Sequence, residues 1–435
     1  MDAFPGHRYI GVTNTIDTVR VSPVALTGIV VNRWMKRSPI RTFPVTLVMG
    51  AQLLAMVVIP AVTKGTEPLG LILAICAVAI ASAFYIEILC APLVVEPKAP
   101  RPIAIRAAWV VLIVGLVSSV GAALGGRGSY AVQLGLAKES VLVPLFTPFN
   151  IWSLFGAALF VWLFRQGRIP RRTAYVAVSL ALIVQVYVGL ERAILGQAAA
   201  FGATLLVLAI LSGLIRLRFL LVLVMLIPLV WPTVYEYRDS VRRQIGGSLS
   251  AVSADDPTER LQLDEQMSLL EELAPHRQDL EGPSALTIIR TGLLPRLIDP
   301  NRPPLDTASQ LSVATGSAES NSRSATFLGN VFLFTGMWGV MFTGAGLAVM
   351  MGMALRRSYS PWALMFVGLV YLTGISFNAA YPKGVVALLQ AIESMLVAYL
   401  LTRYLSRNVE RATPATREAP PDKGLANPST RLPAE

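Results

Sequence analysis

Cysteine and histidine are almost missing from this chain. Its 435 residues hold two of each: Cys76 and Cys90, His7 and His276. Both cysteines fall in one apolar run, so no disulfide framework is expected. Two distant histidines leave no metal-ligand spacing. Charge is scarce too. Charged residues make up 14% of the chain, against about 25% in a soluble domain. There is no Walker loop, no dinucleotide fingerprint and no paired zinc motif, so no cofactor and no metal are expected. The first 40 residues lack a basic start followed by a continuous apolar core, so no cleavable signal peptide is read there.

What the chain has is hydrophobic length. Hydrophobic residues make up 54% of it. Apolar runs of about 20 residues read as membrane spans, because only a helix that satisfies its own backbone crosses lipid. Ten such runs are present, at 44–63, 68–95, 103–125, 146–164, 173–191, 195–215, 218–235, 326–354, 360–380 and 384–403. The expected fold is an all-α polytopic membrane protein of about ten spans, with one large external loop between spans 7 and 8. The expected divisions are an N-terminal segment at 1–43, spans 1–7 over 44–235, the loop over 236–325, spans 8–10 over 326–403, and a disordered tail at 404–435. Short turns at 192–194 and 216–217 predict antiparallel hairpins, and Pro228 and Pro232 predict a kink in span 7.

The net charge of +11 gathers at every second junction, for example Arg165, Arg168, Arg171 and Arg172. That alternation places both termini in the cytoplasm and the large loop outside a plasma (inner) membrane. It is a membrane pattern and does not call for nucleic acid.

Glu236–Ala325 is the polar exception. It holds 14 of the 26 acidic residues, nine arginines and no lysine. One helix is expected after Asp256 and Pro257, with Leu263, Met267 and Leu270 on its apolar face. A second amphipathic stretch runs from Ala285 to Leu294, and Thr307–Ser324 reads as a mobile loop. The smaller loop Gly125–Thr147 alternates in period two at Tyr130, Val132, Leu134 and Leu136, which predicts extended chain.

Arginine is the leading candidate for chemistry. Its planar fork binds phosphate in a bidentate way that lysine cannot match. Arg192, Arg290, Arg296 and Arg302 are the candidate substrate-binding residues, the last three set among prolines in Arg290–Pro304. The bland alternative pairs them with the loop's own acids. Glu191 and Asp299 are the candidate catalytic bases, with Asp306 and His276 also weighed. Glu191–Arg192 stands between two apolar runs, where ionisable groups are costly. Glu87 and Glu393 lie inside expected spans and read as internal partners.

The run Leu294-Pro-Arg-Leu-Ile-Asp-Pro-Asn-Arg-Pro303, followed by a Ser/Thr-rich stretch and Thr326-Phe-Leu-Gly-Asn-Val-Phe-Leu-Phe-Thr-Gly336, resembles the Wzy-type oligosaccharide repeat-unit polymerases of the O-antigen polymerase and ligase superfamily. Pro295, Arg296, Pro300, Arg302 and Pro303 match one part of the family pattern. Gly329, Phe332 and Gly336 match the other, and Asn330 stands where the family often has glutamate. The resemblance implies a GT-C-like bundle. It also implies an enzyme that polymerises glycan repeat units carried on undecaprenyl diphosphate, for a surface polysaccharide or exopolysaccharide. The implied partners are a polyprenyl-diphosphate-linked oligosaccharide, membrane lipid, and the flippase and chain-length regulator of the same pathway. A ligase, a transporter and a non-catalytic assembly subunit remain the alternatives.

Overall fold

The computed structural model describes residues 43–54, 58, 70–89, 103–133, 135–192, 196–216, 233, 236–245, 264–280, 282–294, 299, 305, 307–315, 326–356, 360–375 and 381–412. No strand occurs among them. The helices used below are α1 (Pro44–Leu53), α2 (Gly70–Leu89), α3 (Ile105–Leu124), α4 (Trp152–Arg165), α5 (Arg171–Glu191), α6 (Gly196–Leu211), α7 (Asp264–Leu273), α8 (Ala285–Leu293), α9 (Thr307–Ala314), α10 (Phe327–Arg356), α11 (Pro361–Val370) and α12 (Lys383–Ala412). Among the described residues, six helical stretches are long and apolar enough to cross a membrane, and three shorter apolar helices accompany them. The protein is thus all-helical and membrane-embedded. Apart from Thr233, the span expected at 218–235, with Pro228 and Pro232, lies outside the described residues, as do 1–42.

α4 is the centre of the bundle. Every side chain from Trp152 to Leu163 is buried, as expected for a helix that is apolar all round. It packs against α3, α5, α6, α11 and α12. Its tightest neighbour is α3. A methyl group on Gly115 would collide with the backbone of Ser153, and one on Gly156 would lie 2.6 Å from Leu112 Cβ. Two glycines therefore bring the two backbones into direct contact. Among apolar helices in lipid, such close approach replaces the hydrophobic drive that water would supply. α2 and α10 repeat the device, since a methyl on Gly344 would strike Ala79 O.

Polar contacts fix the rest. Gln185 Nε2 on α5 donates to Ser119 Oγ on α3 at 2.9 Å and to Ser153 Oγ on α4 at 3.1 Å. Trp152 Nε1 donates to Ser394 Oγ on α12 at 2.8 Å. Glu87 accepts from Val45 N at 2.6 Å and Thr46 N at 3.4 Å, so its carboxylate caps the start of α1. This is the internal partner that its sequence position called for. Arginines also tie elements together through backbone carbonyls: Arg168 Nη1 donates to Ile103 O, just before α3, at 2.8 Å, and Arg106 Nη2 to Leu405 O in α12 at 3.1 Å.

Three sequence expectations are modified here. α12 runs past 403 to Ala412, since nothing in Tyr404–Ala412 breaks a helix. Part of the expected mobile stretch is α9, whose Leu311 is fully buried; an apolar anchor outweighed the Ser/Thr composition. The Gly125–Thr147 loop is not extended. It folds as helical turns at Tyr130–Gln133 and Val143–Phe146, with positive φ at Gly126, Gly128 and Gly135. No strand lies beside it to satisfy an extended backbone. The first loop helix is described from Asp264 onward, and it buries Leu269, Leu270 and Leu273; the cap expected at Asp256 lies outside the described residues.

α10 is interrupted. Gly336 has φ 71° and ψ −169°, a conformation open only to glycine. Arg277, from the loop, reaches the break: a methyl on Gly336 would lie 2.6 Å from its Nη1. Its guanidinium also lies 5.6 Å from the Phe332 ring centre. A cation here complements the carbonyl end of the helical half that stops at Thr335.

The glycine contact at the centre yields a direct prediction. Gly156→Val should destabilise the protein by about 3 kcal/mol, because Leu112 offers backbone and not a movable side-chain tip. Gly346→Ala, which meets open space, should be neutral. Thermal unfolding in detergent checks both, and equal melting temperatures would contradict the packing.

Candidate functional site

Arg192 is the C-cap of α5. Gln185 precedes it by seven residues, two turns, so both share the face of α5 that turns to α3 and α4. Only 7% of Arg192 is exposed. Its Nε and Nη2 have no hydrogen-bond partner among the described residues. Glu191, its sequence neighbour, is exposed. The interfacial ion pair open to this dipeptide is therefore not made.

The charge near Arg192 is a second arginine. Arg127 stands three residues beyond the end of α3, where its N–H donates to Ala122 O at 3.0 Å. Its Nη1 is buried without a hydrogen-bond partner among the described residues. Burial, then repulsion from Arg127, pushes the Arg192 guanidinium down to about 10, and Glu139 opposes the shift. Burial also lowers Arg127, again against Glu139. Glu139 is the local carboxylate, and its Oε1 accepts from Gly128 N at 3.4 Å.

A third arginine closes the group. Tyr130 N donates to Arg192 O at 3.3 Å. The Arg242 guanidinium lies 4.7 Å from the Tyr130 ring centre, within cation–π range. Arg242 belongs to the helical residues 236–245 that open the polar segment. Arg127 and Arg192 thus stand together at the ends of α3 and α5 with Glu139 near them, and Arg242 lies over the neighbouring Tyr130 ring. Net positive charge with unsatisfied buried donors is a site for an anion.

The other candidates fall elsewhere. Arg290 and Asp299 form a bidentate pair, Nε to Oδ2 at 2.6 Å and Nη2 to Oδ1 at 2.8 Å. Asp299 is buried and Arg290 exposed. The hydrogen bond and charge of Asp299 raise the Arg290 guanidinium. Both are therefore occupied with each other. α8, which carries Arg290, packs on α12, with Gly292 against Leu389. Arg296, Arg302 and Asp306 lie outside the described residues. His276 is exposed, next to Arg277. Asn330 is buried in the first turn of α10, and its N–H donates to Thr326 O at 3.0 Å. Thr326 has φ 64° and its Oγ1 accepts from Gly329 N at 3.1 Å, so a strained residue starts this helix.

Sequence reasoning missed Arg127 as a site residue, because it stood among sparse junction charges. A signal was present: it sits inside a glycine-rich turn, after Gly125 and Gly126 and before Gly128, at a span end. Comparison with family models, curated proteins and solved structures finds no match.

Arg192→Met tests the burial. The folded pKa of Arg192 lies below its unfolded value, so its charge costs stability at all pH values below about 10, and the cost fades as pH rises through that value. Removing the charge should therefore stabilise the ligand-free protein at pH 7 by about 2 kcal/mol. A loss of stability on thermal unfolding would mean that Arg192 is structurally paired.

Proposed function

We propose that this protein is a membrane glycosyltransferase that polymerises oligosaccharide units carried on undecaprenyl diphosphate, at the outer face of the plasma membrane. One observation carries the reading: the buried Arg127–Arg192 pair, with donors left for an anion, at the membrane-edge end of the bundle. A lipid diphosphate offers several oxygens at that depth. The Leu294–Pro303 and Thr326–Gly336 runs supply the resemblance that makes the diphosphate a glycan carrier.

The reaction needs few groups. An acceptor hydroxyl oxygen bonds to the anomeric carbon. The bond from that carbon to the diphosphate oxygen breaks, and the diphosphate leaves with the electron pair. The hydroxyl proton passes to a carboxylate. Preorganised guanidiniums stabilise the charge that grows on the leaving group. Arg192 and Arg127 take that role, with Arg296 and Arg302 as further contacts. Glu191, exposed beside Arg192, is the better base. Asp299 has both oxygens engaged by Arg290, and the pair serves to hold the proline-rich run.

A transporter of an anionic lipid has one observation in its favour, the interruption of α10 at Gly336. Arg277 occupies that break, which supports a latch more than an open path.

Glycan length in cells decides among these. Cells lacking the protein should hold single lipid-linked units, and wild type should restore a ladder. Arg192→Gln and Arg296→Ala should not restore it, although both variants remain in the membrane. A normal ladder with Arg192→Gln would remove the pair from the site. A ladder that forms but stays unattached to its final acceptor indicates ligation. Unchanged glycans with lost solute movement indicate transport.

A further inference from the structure

Glu87 and Glu393 both lie inside membrane-crossing helices, and both read from the sequence as internal partners. Glu87 has that role at the start of α1. Glu393 does not. It is half-buried, and its carboxyl group makes no hydrogen bond and no ion pair with the described residues. α12 is long and apolar enough to cross a membrane over Lys383–Arg407. At 1.5 Å per residue Glu393 stands about 15 Å from Lys383 and about 15 Å from Arg403, which sets it at mid-depth. A carboxyl group in hydrocarbon without a partner is costly. Gln390, one turn away on the same face, is exposed and under-used. Its Nε2 donates only to Thr291 O, at 3.4 Å, and its Oε1 accepts nothing from the described residues.

α12 has two faces. The inner one holds Ala391, Ser394, Ala398, Thr402 and Ser406, all buried. It is tied to α4 by Trp152 Nε1 on Ser394 and to the start of α3 by Ala104 N on Ser406. The outer one holds Gln390, Glu393, Val397, Leu400, Tyr404 and Arg407, spaced 3, 4, 3, 4 and 3 residues apart. That is the interval of a seam between two helices packed at a shallow angle. Val397 is 50% exposed and Leu400 55%, so the seam stands open. α8 flanks it, with Gly292 on Leu389. Lipid chains offer neither donor nor acceptor, so lipid leaves Glu393 unsatisfied. A second copy of the same face satisfies it. Two copies inserted the same way up are related by an axis parallel to the helices, so equal heights meet. Side chains lean toward the helix N-terminus, which brings the Glu393 carboxyl to the level of Gln390. The face thus offers a donor and an acceptor at one height, and is its own complement.

We propose that two copies of this chain pair through the outer face of α12, with Gln390 Nε2 of each copy donating to Glu393 of the other. The two hydrogen bonds form about the axis, and Val397 and Leu400 pack against their counterparts below them. The pairing uses none of the residues assigned to the diphosphate, so either reading can fail alone.

Energy transfer tests it, between two differently labelled pools of the purified full-length protein mixed in phosphatidylcholine vesicles and diluted with lipid. Wild type should show transfer that falls on dilution. Glu393→Ala should weaken the pairing about tenfold, the loss of two interhelical hydrogen bonds of the size found in membranes. Glu393→Gln keeps an acceptor and should retain most of it. Val397 is already exposed, so Val397→Trp should abolish pairing without disturbing the fold. Ile183→Trp, on the exposed side of α5, should leave pairing unchanged. Wild type that stays single at every dilution overturns the proposal and leaves Glu393 to a different membrane helix. Pairing unchanged in Val397→Trp overturns the face, and pairing unchanged in Glu393→Ala overturns the hydrogen bonds.

Discussion

Backbone contact between α3 and α4 is the constraint on which the rest depends. Gly115 and Gly156 leave no side chain between the helices. In lipid the energy of such a contact is dispersion and weak hydrogen bonding, so it is gained only when the helices touch. That contact sets the height of α3 against α4. The height in turn lets Ser119 and Ser153 share Gln185 of α5. It also puts Trp152 within reach of Ser394 on α12. Three partners of the central helix are thus registered by one pair of glycines.

The arginine cluster follows from that registration. Arg127 ends α3 and Arg192 ends α5, so their closeness is decided by how the two helices are set against α4. Neither is neutralised by its sequence neighbour. Holding two guanidiniums together under partial burial costs free energy that folding alone has no reason to bear. Such costs collect where a ligand repays them. By contrast Arg290 and Asp299 meet as a bidentate pair, the geometry of a structural clamp.

Much of the membrane architecture was legible in the sequence, because a lipid solvent makes hydropathy nearly sufficient. Among the described residues, six helices long and apolar enough to cross a membrane and three shorter apolar helices all overlap expected runs. α8 appears where Ala285–Leu294 was amphipathic. Arg192 stands at a span end as expected. What stayed hidden depends on tertiary neighbours. The Gly336 break is invisible in a run that remains apolar on both sides. The Arg290–Asp299 pair joins residues nine apart, and nothing in the sequence between them announces the partner. Arg127 reads as one positive charge in a glycine-rich turn until α5 is placed beside it. The alternation in Gly125–Thr147 misled because period two needs a neighbouring strand, and an all-helical bundle offers none.

The most direct test of the account is a cryo-electron microscopy map of the full-length protein with bound polyprenyl diphosphate. The account predicts density for the diphosphate against Arg192 Nε and Nη2 and Arg127 Nη1, with Glu191 facing the glycan side. A map in which Arg192 instead pairs with Glu139 or Glu191, while the diphosphate sits elsewhere, would contradict it.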